Sequence, residues 1–157
     1  MTMHDLIEKL KERPRTADEH LDVQKREWLA TLRQLFDEVE GWLGSATTAG
    51  VLKTSRSETE IVEPDFGSYN APVLRISDGI ITVQLEPVGG RVVGIAGAAG
   101  TRLTGLRGRV DLVCGPTRIP MVRTSSGIWK AVPLRGESRD LSEESFAEIL
   151  GEVLLDE

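Results

Sequence analysis

Between residues 72 and 134 the chain breaks into short runs of alternating apolar and polar residues separated by only two or three turn formers. These separators are Asp78-Gly79, Gly89-Gly90, Gly115-Pro116 and Ser125-Ser126-Gly127. Parallel neighbours need a crossover of a dozen or more residues, so connections this tight require antiparallel neighbours. VLRISDGIITVQL is the clearest case: strands near 72–77 and 80–87 flank an Asp-Gly pair suited to a type I′ turn. RVVGIAG, GRVDLVC, TRIPMVRT and GIWKAVPL follow as further strands. Residues 51–62 are polar enough for an edge, and EPDFGSYNAP reads as a loop from its Pro, Gly and Asn content.

The flanks have a different period. Thr2 is placed to cap a short helix carrying Leu6, Ile7 and Leu10, which Pro14 should end. Thr16 and Glu19 form a T-x-x-E capping box ahead of a second helix over 17–43, with Gly44 placed to cap its end. Its stripe runs through Leu21, Trp28, Leu32, Leu35, Phe36, Val39 and Trp42. At about 1.5 Å per residue this helix spans roughly 40 Å, longer than the core of such a domain, so part of it projects or pairs with another chain. Trp28, Leu35 and Trp42 are the candidate partner-helix surface, with a homodimer as one occupant. At the other end Ser142 caps a helix whose apolar face is Phe146, Ile149, Leu150, Val153 and Leu154.

The fold class is therefore α+β. An antiparallel meander of about six strands carries the long N-terminal helix and the C-terminal helix on one face. Residues 1–157 form a single domain: a helical segment 1–44, a sheet 50–134 and a C-terminal helix 141–155. A chain of 157 residues with 39% apolar side chains can bury its own core. One cysteine, Cys114, allows no internal disulfide, and with His4 and His20 it cannot complete a four-ligand zinc site. No apolar run reaches the ~18 residues of a membrane span, and the chain reads as cytoplasmic, with no membrane partner.

Familiar chemistries fail on spacing. RVVGIAGAAG suggests a nucleotide loop, but its glycines are Gly94, Gly97 and Gly100, and Ile95 stands where the G-x-G-x-x-G pattern requires glycine. Too few residues follow for a crossover helix, and the chain contains no Gly-Lys pair for a phosphate loop. AGAAG instead begins a flexible connection through TRLTGLRG. His4 and His20 lie among charged helical neighbours and read as solvated, and Cys114 reads as a small buried hydrophobe. Pro64-Asp65 invites the nuclease pattern that ends in D/E-x-K, but the only later lysine, Lys130, follows Ile128 at the acid's position. No catalytic residue, cofactor or metal ligand is assigned.

Charge is segregated along the chain. From Val88 to Arg135 seven arginines and Lys130 face a single acid, Asp111, whereas 136–157 holds eight acids against Arg139. Arg102, Arg107, Arg109, Arg118 and Arg123 are the candidate contacts for an anion or nucleic acid, with Trp129 or Tyr69 to stack on a base. The competing expectations are that the acidic C-terminal helix covers the basic strands, and that Asp111 pairs with Arg109 or Arg118 between strands. EPVGG, GRVDLVCGP and LSEESF have the character of small bacterial proteins, with no family whose residues carry over. The expected function is a non-enzymatic binding or accessory protein acting through protein contacts. A nucleic-acid-binding accessory protein using 88–135 is the alternative, and an enzyme using carboxylate chemistry comes third.

Overall fold

The computed structural model describes residues 1–12, 17–96, 102–133 and 136–155, with the side chains of 17–18, 92–96 and 102–105 left out. Helices α1 (Met3–Glu12), α2 (Ala17–Trp42) and α3 (Gly44–Thr48) precede the strands. Seven strands form one antiparallel sheet: β1 (Lys53–Glu63), β2 (Gly67–Ser77), β3 (Thr82–Gly89), β6 (Arg109–Cys114), β7 (Thr117–Arg123), β8 (Trp129–Ala131) and β9 (Arg139–Asp140). They neighbour one another in that order. The meander is interrupted once, by a separate hairpin of β4 (Val92–Ala96) and β5 (Arg102–Leu106), and helix α4 (Glu143–Leu154) ends the chain.

Alternation along the strands places the core. Ile76, Val83, Leu85, Val110, Leu112 and Met121 are fully buried and meet Leu32, Leu35, Phe36 and Val39 of α2 in one cluster. Phe146, Ile149 and Leu150 of α4 join it, and the Phe146 ring lies 5.8 Å from Trp42. Both helices therefore cover the same sheet face. The Ser142 cap forms as expected, with its hydroxyl accepting from the Ser145 amide at 3.2 Å. Thr2 likewise caps α1, accepting from the Asp5 amide at 3.1 Å, while the expected Thr16 cap and Pro14 stop lie outside the described residues. No residue of α1 is buried.

Several local expectations are corrected. Gly44 does not cap α2. The chain continues into α3, and the left-handed glycine comes at Gly50 (φ 76°), where Gly50 donates to Thr47 and Val51 to Ala46 in a Schellman closure. EPDFGSYNAP is mostly strand: only 64–66 turn, and Glu63 pairs with Gly67. The alternation Ser68-Tyr69-Asn70-Ala71, exposed then buried, outweighs the turn-forming composition. Pro72 is tolerated because only Leu74–Ser77 of β2 pair with β3, leaving its earlier half paired on one side. Asp78-Gly79 does turn the chain, but Ser77 pairs with Thr82, so the loop has four residues, 78–81, in place of the expected two-residue Asp-Gly turn. The Asp78 carboxylate caps the Ile80 and Ile81 amides at 2.8 and 2.7 Å. TRLTGLRG is no loose connection either, since Arg102–Leu106 pairs with β4.

Candidate functional site

A cleft of about 560 Å³ opens where α2, the β1–β2 turn and the base of the β4–β5 hairpin meet. Its floor is a buried hydrogen-bonded chain. Trp28 Nε1 donates to the Tyr69 hydroxyl at 3.1 Å, and that hydroxyl donates to Glu63 Oε2. The other carboxylate oxygen, Oε1, accepts from the Gly90 and Arg91 amides at 3.0 and 3.2 Å. Glu63, Tyr69 and Trp28 are 7, 9 and 4% exposed. Burial raises the Tyr69 pKa well above that of an ordinary tyrosine, and the bond and charge of Glu63 push it further the same way.

Two glycines let the backbone close on the indole. A Cβ on Gly90 would stand 2.7 Å from Trp28 Cγ, and one on Gly108 would overlap the far edge of the same ring. A side chain at either position would displace the indole. The floor thus joins α2, both strands of the first hairpin and the β3–β4 corner.

The walls carry charge. Arg107 donates its amide to the Arg123 carbonyl at 2.8 Å, while the Arg123 amide donates to Gly108 at 2.9 Å. Two residues therefore oppose one, a bulge just before the start of β6, and both arginines border the cleft. Neither guanidinium has an ion pair among the described residues. Arg91 is engaged at the rim with Asp65 at 3.3 Å. Gln24 Oε1, also in the lining, is buried and meets no donor among the described residues, while its Nε2 lies 3.1 Å from His20.

The remaining basic residues go elsewhere. Arg109 grips Asp111 with two bonds of 2.8 and 3.1 Å, and Arg118 reaches Asp111 at 3.4 Å and Glu86 at 3.6 Å. Asp111 faces Glu86 and Pro120 in register, on the side of the sheet away from Val110 and Leu112, which enter the core. Lys130 pairs with Asp140 at 2.6 Å. The ion pair expected of Asp111 is present with both arginines. Arg102 lies on β5, with its side chain outside the described residues.

The acids of α4 do not cover Arg109 or Arg118. Two of them meet Arg139, which reaches Glu148 at 2.6 Å and Glu152 at 3.9 Å on the helix-covered face. Trp28 and Leu35 lie in the chain's own core and Trp42 packs against Phe146, so the stripe expected to face a partner helix faces the sheet and α4. Tyr69 is likewise committed and offers no ring to a base.

Sequence reasoning missed the floor because Trp28 and Tyr69 are 41 residues apart and Glu63 resembles its exposed acidic neighbours Glu58 and Glu60. The available signal was alternation, which sets Ile61 and Glu63 on the same side of β1. Among the described residues no three His, Cys, Asp or Glu side chains gather as a metal site, and no helix is long and apolar enough to cross a membrane.

Together these features define an α+β protein with a seven-stranded meander and a polar cleft at one end of its long helix. Comparison with protein-family models, curated proteins and solved structures gave no match to this chain.

Proposed function

We propose that the chain is a non-enzymatic binding or accessory protein that acts through protein contacts, made by adding a partner's extended segment to the free edge of β1. The observation that carries this reading is the edge itself. β1 is eleven residues long, pairs only with β2 among the described residues, and exposes six consecutive residues from Ser55 to Glu60. Such an edge presents a row of backbone donors and acceptors to another strand unless something blocks it. Glu58, Glu60 and the 73% exposed Val62 line its outer half, favouring a partner segment that alternates basic and apolar residues.

Contact with nucleic acid draws less support from the geometry. Arg109, Arg118 and Lys130 are matched by Asp111, Glu86 and Asp140, and Arg107 and Arg123 lie at the cleft. Capture of the full chain from its native cell, followed by hydrogen exchange on the recovered complex, tests the proposal. Amides of 55–60 should slow markedly, and Glu58→Lys with Glu60→Lys should weaken the complex. A complex that leaves those amides unchanged, or the absence of any stable partner, would count against it.

A further inference from the structure

We propose that the partner taken by the β1 edge is a second copy of this chain, paired antiparallel about a two-fold axis at Ser57. The inference rests on the edge-pairing reading above and names its occupant. The α2 stripe expected to pair with another chain lies in the chain's own core, so a dimer has to use a different surface.

The edge lacks the devices that usually keep strands apart. Natural edges are blunted by prolines, bulges, short length or a covering segment. β1 holds no proline, and its register with β2 runs unbroken from Lys53 opposite Ser77 to Glu63 opposite Gly67. From Ser55 to Glu60 successive side chains point to alternate faces, and all six residues are exposed. Charge is the remaining barrier to a neighbour, supplied by Lys53, Arg56, Glu58 and Glu60. Whether it repels or attracts a second β1 depends on register.

Side chains directly opposite across antiparallel strands share a face, so a two-fold axis through the edge pairs residues of like parity. With the axis at Ser57, Arg56 faces Glu58 of the second copy, and symmetry repeats the pair. Arg56 gives Nε to Glu40 and Nη2 to Asp37, with no bond to Nη1 among the described residues. On the other face Ser57 meets its own copy and Ser55 meets Thr59, hydroxyl pairs that favour antiparallel strands. At each end Leu52 comes opposite Val62, which is 73% exposed. The first half of β1 is thus the basic and apolar segment that its outer half suits.

Other registers lose this match. An axis at Arg56, Glu58 or Glu60 sets a charge against its own copy, and one at Thr59 sets Glu58 against Glu60 twice. An axis at Ser55 leaves Arg56 and Glu58 opposite Thr54 and Leu52. Of the axes from Ser55 to Glu60, only Ser57 joins opposite charges without opposing like ones.

Sedimentation of the full chain tests the pairing. A monomer–dimer equilibrium with a Kd of about 100 µM or tighter is expected. Glu58→Lys creates two like-charge pairs with Arg56 and should weaken the dimer about ten-fold or more. Glu137→Lys, exposed beside β9 at the opposite edge of the sheet, should leave it unchanged, and thermal unfolding of each variant confirms folding. In a Cys114→Ser background, a short thiol crosslinker should join two copies of Ser57→Cys but not of Glu60→Cys, whose mates stand about 20 Å apart along the strands. A chain that stays monomeric up to about 1 mM overturns the second copy, and if another protein then slows the 55–60 amides the edge reading stands without it. A dimer indifferent to Glu58→Lys, or crosslinked equally through both cysteines, overturns the pairing at β1.

Discussion

Glu63 and Asp111 are both buried carboxylates on neighbouring parts of one sheet, yet they are held in opposite ways. Asp111 is gripped by two guanidinium groups, and one of them, Arg118, is 56% exposed. Glu63 meets no cation among the described residues; a tyrosine hydroxyl and two backbone amides satisfy it. The partners of Asp111 come from its own strand and the next, so losing them loosens a local ladder. Those of Glu63 come from β2 and the β3–β4 corner, and through Tyr69 it anchors α2. A neutral cage has to be assembled from distant segments, and it uses the charge of none of the cations in that region.

Breaking the Glu63 cage should have the largest effect. Glu63→Ala leaves the Tyr69 hydroxyl and the Gly90 and Arg91 amides without their acceptor, and a loss of about 3 kcal/mol in unfolding free energy is expected by denaturant titration. Gly108→Ala comes next. Its methyl group overlaps the buried Trp28 ring, and overpacking of this kind costs about 2 kcal/mol, with a shift in tryptophan emission. Asp111→Asn should be milder. Arg118 is more than half exposed and Arg109 partly so, so both can turn to water, and about 1 kcal/mol is expected, shrinking as salt is added. If Asp111→Asn proved costlier than Glu63→Ala, the contrast drawn between the two carboxylates would be reversed.

The layout of the fold was legible because it depends on local signals. Turns only two or three residues long required antiparallel pairing, and the periods of α2 and α4 announced their buried faces. Ser142 and Thr2 were read as caps and act as caps. The errors arose where composition competed with alternation. Pro64, Gly67 and Asn70 concealed a long hairpin, and the glycines near TRLTGLRG concealed a strand. The cleft was less legible. Arg107 and Arg123 could be named as anion contacts, but a bulge decides that they stand opposite each other beside the cleft, and strand parity takes Arg109 and Arg118 to Asp111 on the other face of the sheet. The Trp28–Tyr69–Glu63 chain depends on a contact across 41 residues that no local pattern encodes.

Tyr69 is the only tyrosine in the chain, which makes the floor directly observable. Its pKa is raised in the folded protein, so the bound proton stabilises the fold fully at pH values below about 10, where an unfolded tyrosine is still protonated. That contribution is lost as pH rises from about 10 through the folded value. Alkaline titration followed by tyrosinate absorbance, with circular dichroism monitoring the fold, measures this group alone. The buried chain predicts no ionisation near pH 10 while the protein stays folded, and tyrosinate appearing only well above that or together with unfolding. A tyrosine that ionises near pH 10 with the fold intact would contradict the buried floor.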